Sequence, residues 1–271
     1  MLTGCLDKMR SELNTQVDYY LPLGEDELPL NDLIGQSLNL NFSGRIFCQH
    51  CGNVTKKSFS QGYCFPCMKK LARCDMCIMK PETCHYHLGT CREPEWGERN
   101  CFVPHYVYLS NTSGLKVGIT RHSQIPTRWI DQGATQAVIM FKVNTRQQSG
   151  FVETAFKSLI ADKTNWRALL KGNPEPVDLK AEAQTLQQTL TESIQKLISQ
   201  FGQDEIEVVD ESVVEINYPV NVFPSKIVSH NFDKNPQVAG ILQGIKGQYL
   251  LFDTGVINIR KFTSYEVTAE Y

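Results

Sequence analysis

The sequence predicts a multi-domain α+β chain: a cysteine-knuckle or ribbon segment, an α/β core, and a C-terminal small β-barrel or sandwich. Three observations carry this. Nine of the ten cysteines fall between Cys48 and Cys101. After them the pattern changes to strand, turn, strand and then helix. From residue 204 onward, short apolar runs recur between glycine-containing turns, the spacing of a small all-β unit. A length of 271 residues leaves room for two or three small domains.

Residues 1–43 read as a β-rich N-terminal segment. Val17 to Leu21 and Leu38 to Phe42 alternate like strands, and Gly24 to Glu27 reads as an acidic turn between them. Residues 44–103 are the cysteine segment. Residues 104–174 read as an α/β domain. His105 to Leu109 and Leu115 to Ile119 flank a turn with Asn111 and Gly114, a hairpin signature. A third strand is expected over Ala137 to Val143 and a helix over Phe151 to Ala161. Residues 175–203 read as one amphipathic helix, with Pro176 near its start and Gly202 just past its end. Leu186, Leu190, Ile194, Leu197 and Phe201 form its apolar stripe, a packing face or a short coiled-coil seam. Residues 204–271 are expected to hold strands over Glu205 to Ile216, Val238 to Gln243, Gln248 to Asp253 and Val256 to Lys261.

The cysteine spacing specifies chemistry. Cys48-Gln-His-Cys51 and Cys64-Phe-Pro-Cys67 are separated by twelve residues. Each CxxC pair sets two thiolates on one tight turn, and two pairs supply the four soft ligands of a tetrahedral Zn²⁺. A disulfide scaffold is disfavoured, because Met1 to Asp7 lacks the apolar run of a secretory leader. A reducing cytoplasm suits this use of thiols. Cys74-Asp-Met-Cys77 begins a second set. Cys84, His85, His87, Cys91, Cys101 and His105 compete to complete it, and Cys74, Cys77, Cys84 and Cys91 are the preferred ligands. One or two structural zinc ions are therefore expected, each closed by four protein ligands.

The formal net charge of −2 conceals three blocks. Residues 1–43 carry 2 basic against 7 acidic side chains, residues 44–174 carry 18 against 8, and residues 175–271 carry 7 against 14. The cationic centre coincides with the cysteine segment and the α/β domain after it, a plausible phosphate-facing surface. A solvated face is the plainer alternative, since no basic run longer than two residues occurs. No apolar stretch approaches the ~18 residues of a membrane span.

The stretch Val107-Tyr108-Leu109, the turn Asn111 to Gly114, Lys116-Val117-Gly118-Ile119-Thr120 and Arg128 together resemble the GIY-YIG nuclease superfamily. That resemblance implies a hairpin core in which Tyr108 is base or proton relay, Arg128 a phosphate clamp and Glu153 the ligand of Mg²⁺ or Mn²⁺. Such roles suit phosphodiester hydrolysis, which needs a base, a cation and a divalent ion. Lys116 stands where the superfamily has the tyrosine of its YIG triplet, and Tyr106 is the nearest substitute. Plainer readings are a core Tyr108, a Glu153–Lys157 pair on one helix face, and an Arg128–Asp131 pair.

Over its whole length the chain resembles an uncharacterised bacterial zinc-binding protein family of unknown function. Gly62-Tyr63-Cys64, Gly89 to Glu98, Lys116 to Thr120, Arg128 to Ala134 and Gly244 to Leu250 carry that likeness. Two of these strings have further readings: Trp129 as a base-stacking or core residue, and Lys246 in a phosphate-approaching loop or a glycine hairpin turn. The function expected is a zinc-stabilised protein that binds DNA or RNA through its basic centre. The alternatives are a metal-dependent endonuclease and a zinc-stapled protein-interaction module.

Overall fold

The computed structural model describes residues 1–160 and 164–271. Its strands are β1 (Leu2–Cys5), β2 (Arg10–Leu13), β3 (Val17–Leu23), β4 (Asp26–Pro29), β5 (Ser37–Phe47), β6 (Val54–Thr55), β7 (His105–Asn111), β8 (Leu115–Arg121), β9 (Gln136–Val143), β10 (Ile206–Val208), β11 (Val214–Glu215), β12 (Gln237–Lys246), β13 (Tyr249–Phe252), β14 (Gly255–Asn258) and β15 (Tyr265–Glu270). The helices are α1 (Phe65–Lys70), α2 (Pro94–Asn100), α3 (Thr127–Asp131), α4 (Arg146–Phe156), α5 (Trp166–Leu169), α6 (Leu179–Thr189) and α7 (Thr191–Phe201). Four short 3-10 turns follow one another between Ala72 and Leu88, where the chain has little apolar material.

The chain is mixed α/β with three sheets, and no barrel closes among the described residues. The largest sheet runs β1-β15-β5-β12-β13-β14, with β6 on β5. It joins the two ends of the chain: Leu2 pairs with Ala269, and Leu40 lies between Ala269 and Val238. The C-terminal strands thus complete a sheet begun by the N-terminal ones, where the sequence suggested a separate barrel or sandwich. β12 serves two partners, β5 through Gln237–Ile241 and β13 through Leu242–Lys246, with a register shift at Leu242/Gly244. Gly244 lets the Val220 segment approach at that point, since a Cβ there would sit 2.6 Å from Val220 Cα.

A second sheet, β2-β3-β4, shows the expected alternation: Val17, Tyr19, Leu21 and Leu23 are buried and their neighbours are less so. The central sheet runs β10-β9-β7-β8, with β11 also on β9. The predicted hairpin and third strand are present, and Tyr108 pairs with Gly118 on β8. The run predicted as one strand over Glu205 to Ile216 forms the two short strands β10 and β11 on this sheet.

Both faces of the central sheet are covered, so β7 is buried almost throughout. Val107, Leu109, Val117 and Ile119 pack with Val152 and Phe156 of α4 and with the helical pair α6/α7. Tyr108 faces the other way, into the core shared by the two outer sheets and α3.

Two helical expectations are revised. The segment expected as one helix breaks at Leu190 (φ −99°, ψ 11°) into α6 and α7. The break lets Leu190, Ile194 and Ile198 follow the sheet, and the stripe is a packing face within the chain. The helix expected over Phe151 to Ala161 begins earlier, at Arg146, where Thr145 and Gln148 form a capping box, and it ends at Phe156. Ala161 lies outside the described residues. No helix among them is long and apolar enough to cross a membrane.

Candidate metal centre and the adjoining cleft

The first four cysteines converge. Cys48 follows β5, Cys51 sits on the turn closed by Gly52 N–H donating to Cys48 O (2.9 Å), Cys64 precedes α1 and Cys67 lies in its first turn. Gly52 takes φ +70°, the left-handed geometry that such a knuckle needs. The ligand atoms of Cys48, Cys51, Cys64 and Cys67 all lie within 4.8 Å of one another, a set able to hold an ion such as zinc. Burial alone would raise the Cys48 thiol, yet the backbone N–H groups of Cys51, Cys64 and His50 bring it down to about 6. Burial and the three neighbouring thiols push Cys67 up to about 12. The surrounding core is small: Cys48, Tyr63, Cys67 and Leu71. With so little apolar burial, a metal held there would supply much of this lobe's folding free energy.

The second set is arranged differently. Cys77, Cys84 and Cys91 line one small cavity together with Cys101. Cys74 does not; it packs beside Cys48 and Leu71 and lines a larger cleft. Among the rival histidines, His87 is exposed and His105 is buried with Nδ1 2.7 Å from Val103 O. His85 groups with Asp75 and Cys77 within 4.8 Å.

Tyr108 is fully buried, donates its hydroxyl to Gln132 Oε1 (2.8 Å) and packs edge-on against Trp129. Burial pushes the Tyr108 phenol up, the Arg128 guanidinium opposes this, and the Glu153 and Asp131 carboxylates add to it. Tyr108 and Arg128 are thus neighbours, and Glu153 acts on the same hydroxyl electrostatically. Glu153 itself, on α4, pairs with Lys157 (3.4 Å). It belongs to neither close ligand set, so no donor group for Mg²⁺ or Mn²⁺ gathers around it among the described residues. Asp131 is engaged elsewhere: it accepts from Lys8 Nζ (2.9 Å) and Gln248 Nε2 (2.8 Å). Trp129 is a core residue, 2% exposed, which removes it from any stacking surface. Lys246 is fully buried and donates to Gly172 O (2.9 Å) and Asn173 Oδ1 (2.8 Å), so it is a strut rather than a phosphate ligand.

Arg128 opens onto a cleft of about 570 Å³ lined also by Lys8, Arg73, Cys74 and Arg260. Its Nε is buried with no hydrogen-bond partner. A second cleft, about 550 Å³, shares Gln61 and Arg260 with the first and adds Lys56, Lys57 and Lys261. The carboxylates present are Asp7, Asp75 and Asp233; Asp75 is held by Arg92 (2.6 Å) and Asp233 by the Tyr265 hydroxyl (2.8 Å). Arg260 and Lys8 escaped sequence reasoning because each lies more than a hundred residues from Arg128, with no local signal of their meeting.

Fold and site define the class: an α+β protein with a four-cysteine lobe set beside a cationic cleft. The chain belongs to the family described as protein of unknown function (DUF2797), whose model matches residues 35–267. That span runs from the entrance of β5 into β15 and contains every cysteine of the lobe. No curated protein matches the chain. No solved structure matches it either.

Proposed function

We propose that the chain binds single- or double-stranded nucleic acid along the two joined clefts, with zinc at Cys48, Cys51, Cys64 and Cys67 holding one wall in place. The observation that carries this is the lining: Lys56, Lys57, Lys261, Arg260, Arg73, Arg128 and Lys8 share one continuous surface with few free carboxylates. Guanidinium groups fork onto phosphate oxygens, and Arg73, Arg128 and Arg260 all line the first cleft. Gln61 and Arg260, which line both clefts, are tied by a 2.8 Å hydrogen bond, so the path is braced where the two meet.

The resemblance to GIY-YIG nucleases bears on the same place, because Arg128, which lines the first cleft, neighbours the buried Tyr108. The endonuclease reading needs more: Tyr108 would have to reach water, and Glu153 would have to leave Lys157 for a divalent ion. The burial of Tyr108 favours binding over cleavage.

The test is fluorescence anisotropy with labelled single- and double-stranded DNA and RNA across a salt series. Binding should weaken as salt rises, and a Lys56→Glu/Lys57→Glu/Lys261→Glu variant should bind more weakly. On duplex DNA its salt slope should be shallower by ~0.9 for each phosphate the variant no longer neutralises. Affinity indifferent to salt and to these substitutions would sink the proposal and favour a protein partner. Gels run with Mg²⁺, Mn²⁺ or EDTA would reveal cutting, which Tyr108→Phe and Glu153→Ala should abolish if the endonuclease reading holds.

A further inference from the structure

Cys77, Cys84, Cys91 and Cys101 come from four different turns. Cys77 lies in the 3-10 turn Met76–Ile78, Cys84 caps the turn Pro81–Thr83, Cys91 precedes α2 and Cys101 follows it. All four line one cavity of about 20 Å³ and none is in a disulfide, although, unlike the sulfurs of Cys48, Cys51, Cys64 and Cys67, theirs do not form a set within 4.8 Å of one another, so an ion would have to draw them together. That volume accommodates a single small occupant and excludes an organic ligand. The rest of the lining is mixed: Ala72, Ile78, Trp96, Gly97 and Phe102 are apolar or bare, and Asp75, His85, Tyr86 and Arg92 are polar.

A cation beside the cavity lacks a counter-charge. Arg146, at the start of α4, donates from its backbone N–H to Cys101 O (2.7 Å) and from Nη2 to Ile78 O (2.7 Å). Its Nε is buried without a partner, and it forms no ion pair with a carboxylate among the described residues. The groups whose ionised forms would act on it favourably are Cys101 and Cys77. A zinc ion held by four thiolates carries a net charge of −2, the counter-charge that a buried guanidinium needs.

We propose that Cys77, Cys84, Cys91 and Cys101 bind a second structural Zn²⁺, with Arg146 offsetting the charge of the tetrathiolate, and that Cys74 takes no part. On binding, the four thiols lose their protons to solvent and no electron is transferred. The rival trio Asp75, Cys77 and His85 has other commitments. Asp75 accepts from Arg92 Nε (2.6 Å) and from Cys77 N–H (3.4 Å) as a helix cap, so its carboxylate is already engaged; His85 is held at Nδ1 by Thr90 Oγ1 (2.7 Å), and its Nε2, 3.6 Å from Asp75, supplies only one nitrogen ligand beside Cys77. The 3-10 turn Pro81–Thr83 of this lobe rests on α4, where a Cβ at Gly150 would sit 2.6 Å from Glu82 N. The ion therefore fixes the surface against which the helix bearing Glu153 docks.

The experiment is zinc content per chain of the purified full-length protein, by elemental mass spectrometry. Wild type should hold two ions. Cys101→Ser and Cys84→Ser should each lose one and keep the ion at Cys48, Cys51, Cys64 and Cys67, whereas Cys74→Ser should keep two. Should a variant fail to fold, alkylation of zinc-loaded wild type answers the same question. Cys101 should be protected until a chelator is added, whereas Cys74 should already label in the zinc-loaded protein. One ion in wild type, two ions in Cys101→Ser, or free labelling of Cys101 in the loaded protein would each overturn the proposal.

Discussion

Gly118 has no side chain because Tyr108 occupies the space where one would be. The two are paired across β7 and β8, and a Cβ on Gly118 would lie 2.6 Å from the Tyr108 hydroxyl oxygen and 2.7 Å from Cζ. The ring lies over the neighbouring strand and delivers its hydroxyl to Gln132. The glycine of the Lys116-Val117-Gly118 string is therefore a steric requirement of the tyrosine.

Gly118→Ala should destabilise the protein by about 1–3 kcal/mol through overpacking. Tyr108→Leu alone should also destabilise, by leaving a cavity and an unpaired Gln132. Combined, the two should cost less than their sum, since the second change makes room for the first. Urea unfolding of all four proteins measures this coupling, for which contacting residues give ~0.5–3 kcal/mol. Strict additivity would show that the ring and the glycine do not compete for space.

Gly150 holds the cysteine lobe against α4. A Cβ there would collide with the backbone at Glu82 and with Pro81, neither of which can swing aside. Gly150→Val should loosen residues 76–91 from α4 and leave the large sheet intact. Limited proteolysis should then cut within that stretch, at a rate wild type does not show.

Metal removal should act locally. The lobe around Cys48 and Cys67 buries few apolar side chains, whereas the two main cores are apolar and continuous. A chelator should abolish amide protection over residues 48–70 and leave β7, β9 and β15 protected in hydrogen exchange. Loss of protection throughout would mean that the lobe and the sheets fold as one unit.

Lys246 should give stability an alkaline dependence. Burial lowers its ammonium from 10.5 to about 8. Between those values the unfolded chain holds the proton and the folded chain does not, so stability rises with pH from about 8 to 10.5. The contribution is complete above the unfolded value and is lost as pH falls through about 8. The size of the shift corresponds to roughly 3 kcal/mol at most. Lys246→Met should remove this rise. Equal pH slopes for the two proteins in urea unfolding between pH 8 and 10 would show that Lys246 keeps its proton when folded.

The sequence by itself determined the parts whose geometry is local. Two CxxC turns twelve residues apart bring Cys48, Cys51, Cys64 and Cys67 together, because each pair is fixed by its own turn. Alternation and a glycine turn placed β7 and β8. Spacing could not say that Leu40 lies between Ala269 and Val238, that Arg260 joins Arg128 on one cleft, or that Cys101 rather than Cys74 faces Cys77, Cys84 and Cys91. It also could not see the break at Leu190, where an unbroken helix would have carried its apolar stripe away from the sheet. Those outcomes come from burial shared between distant segments. Pairing and burial over such distances depend on which apolar faces meet, and no single stretch of chain carries that information.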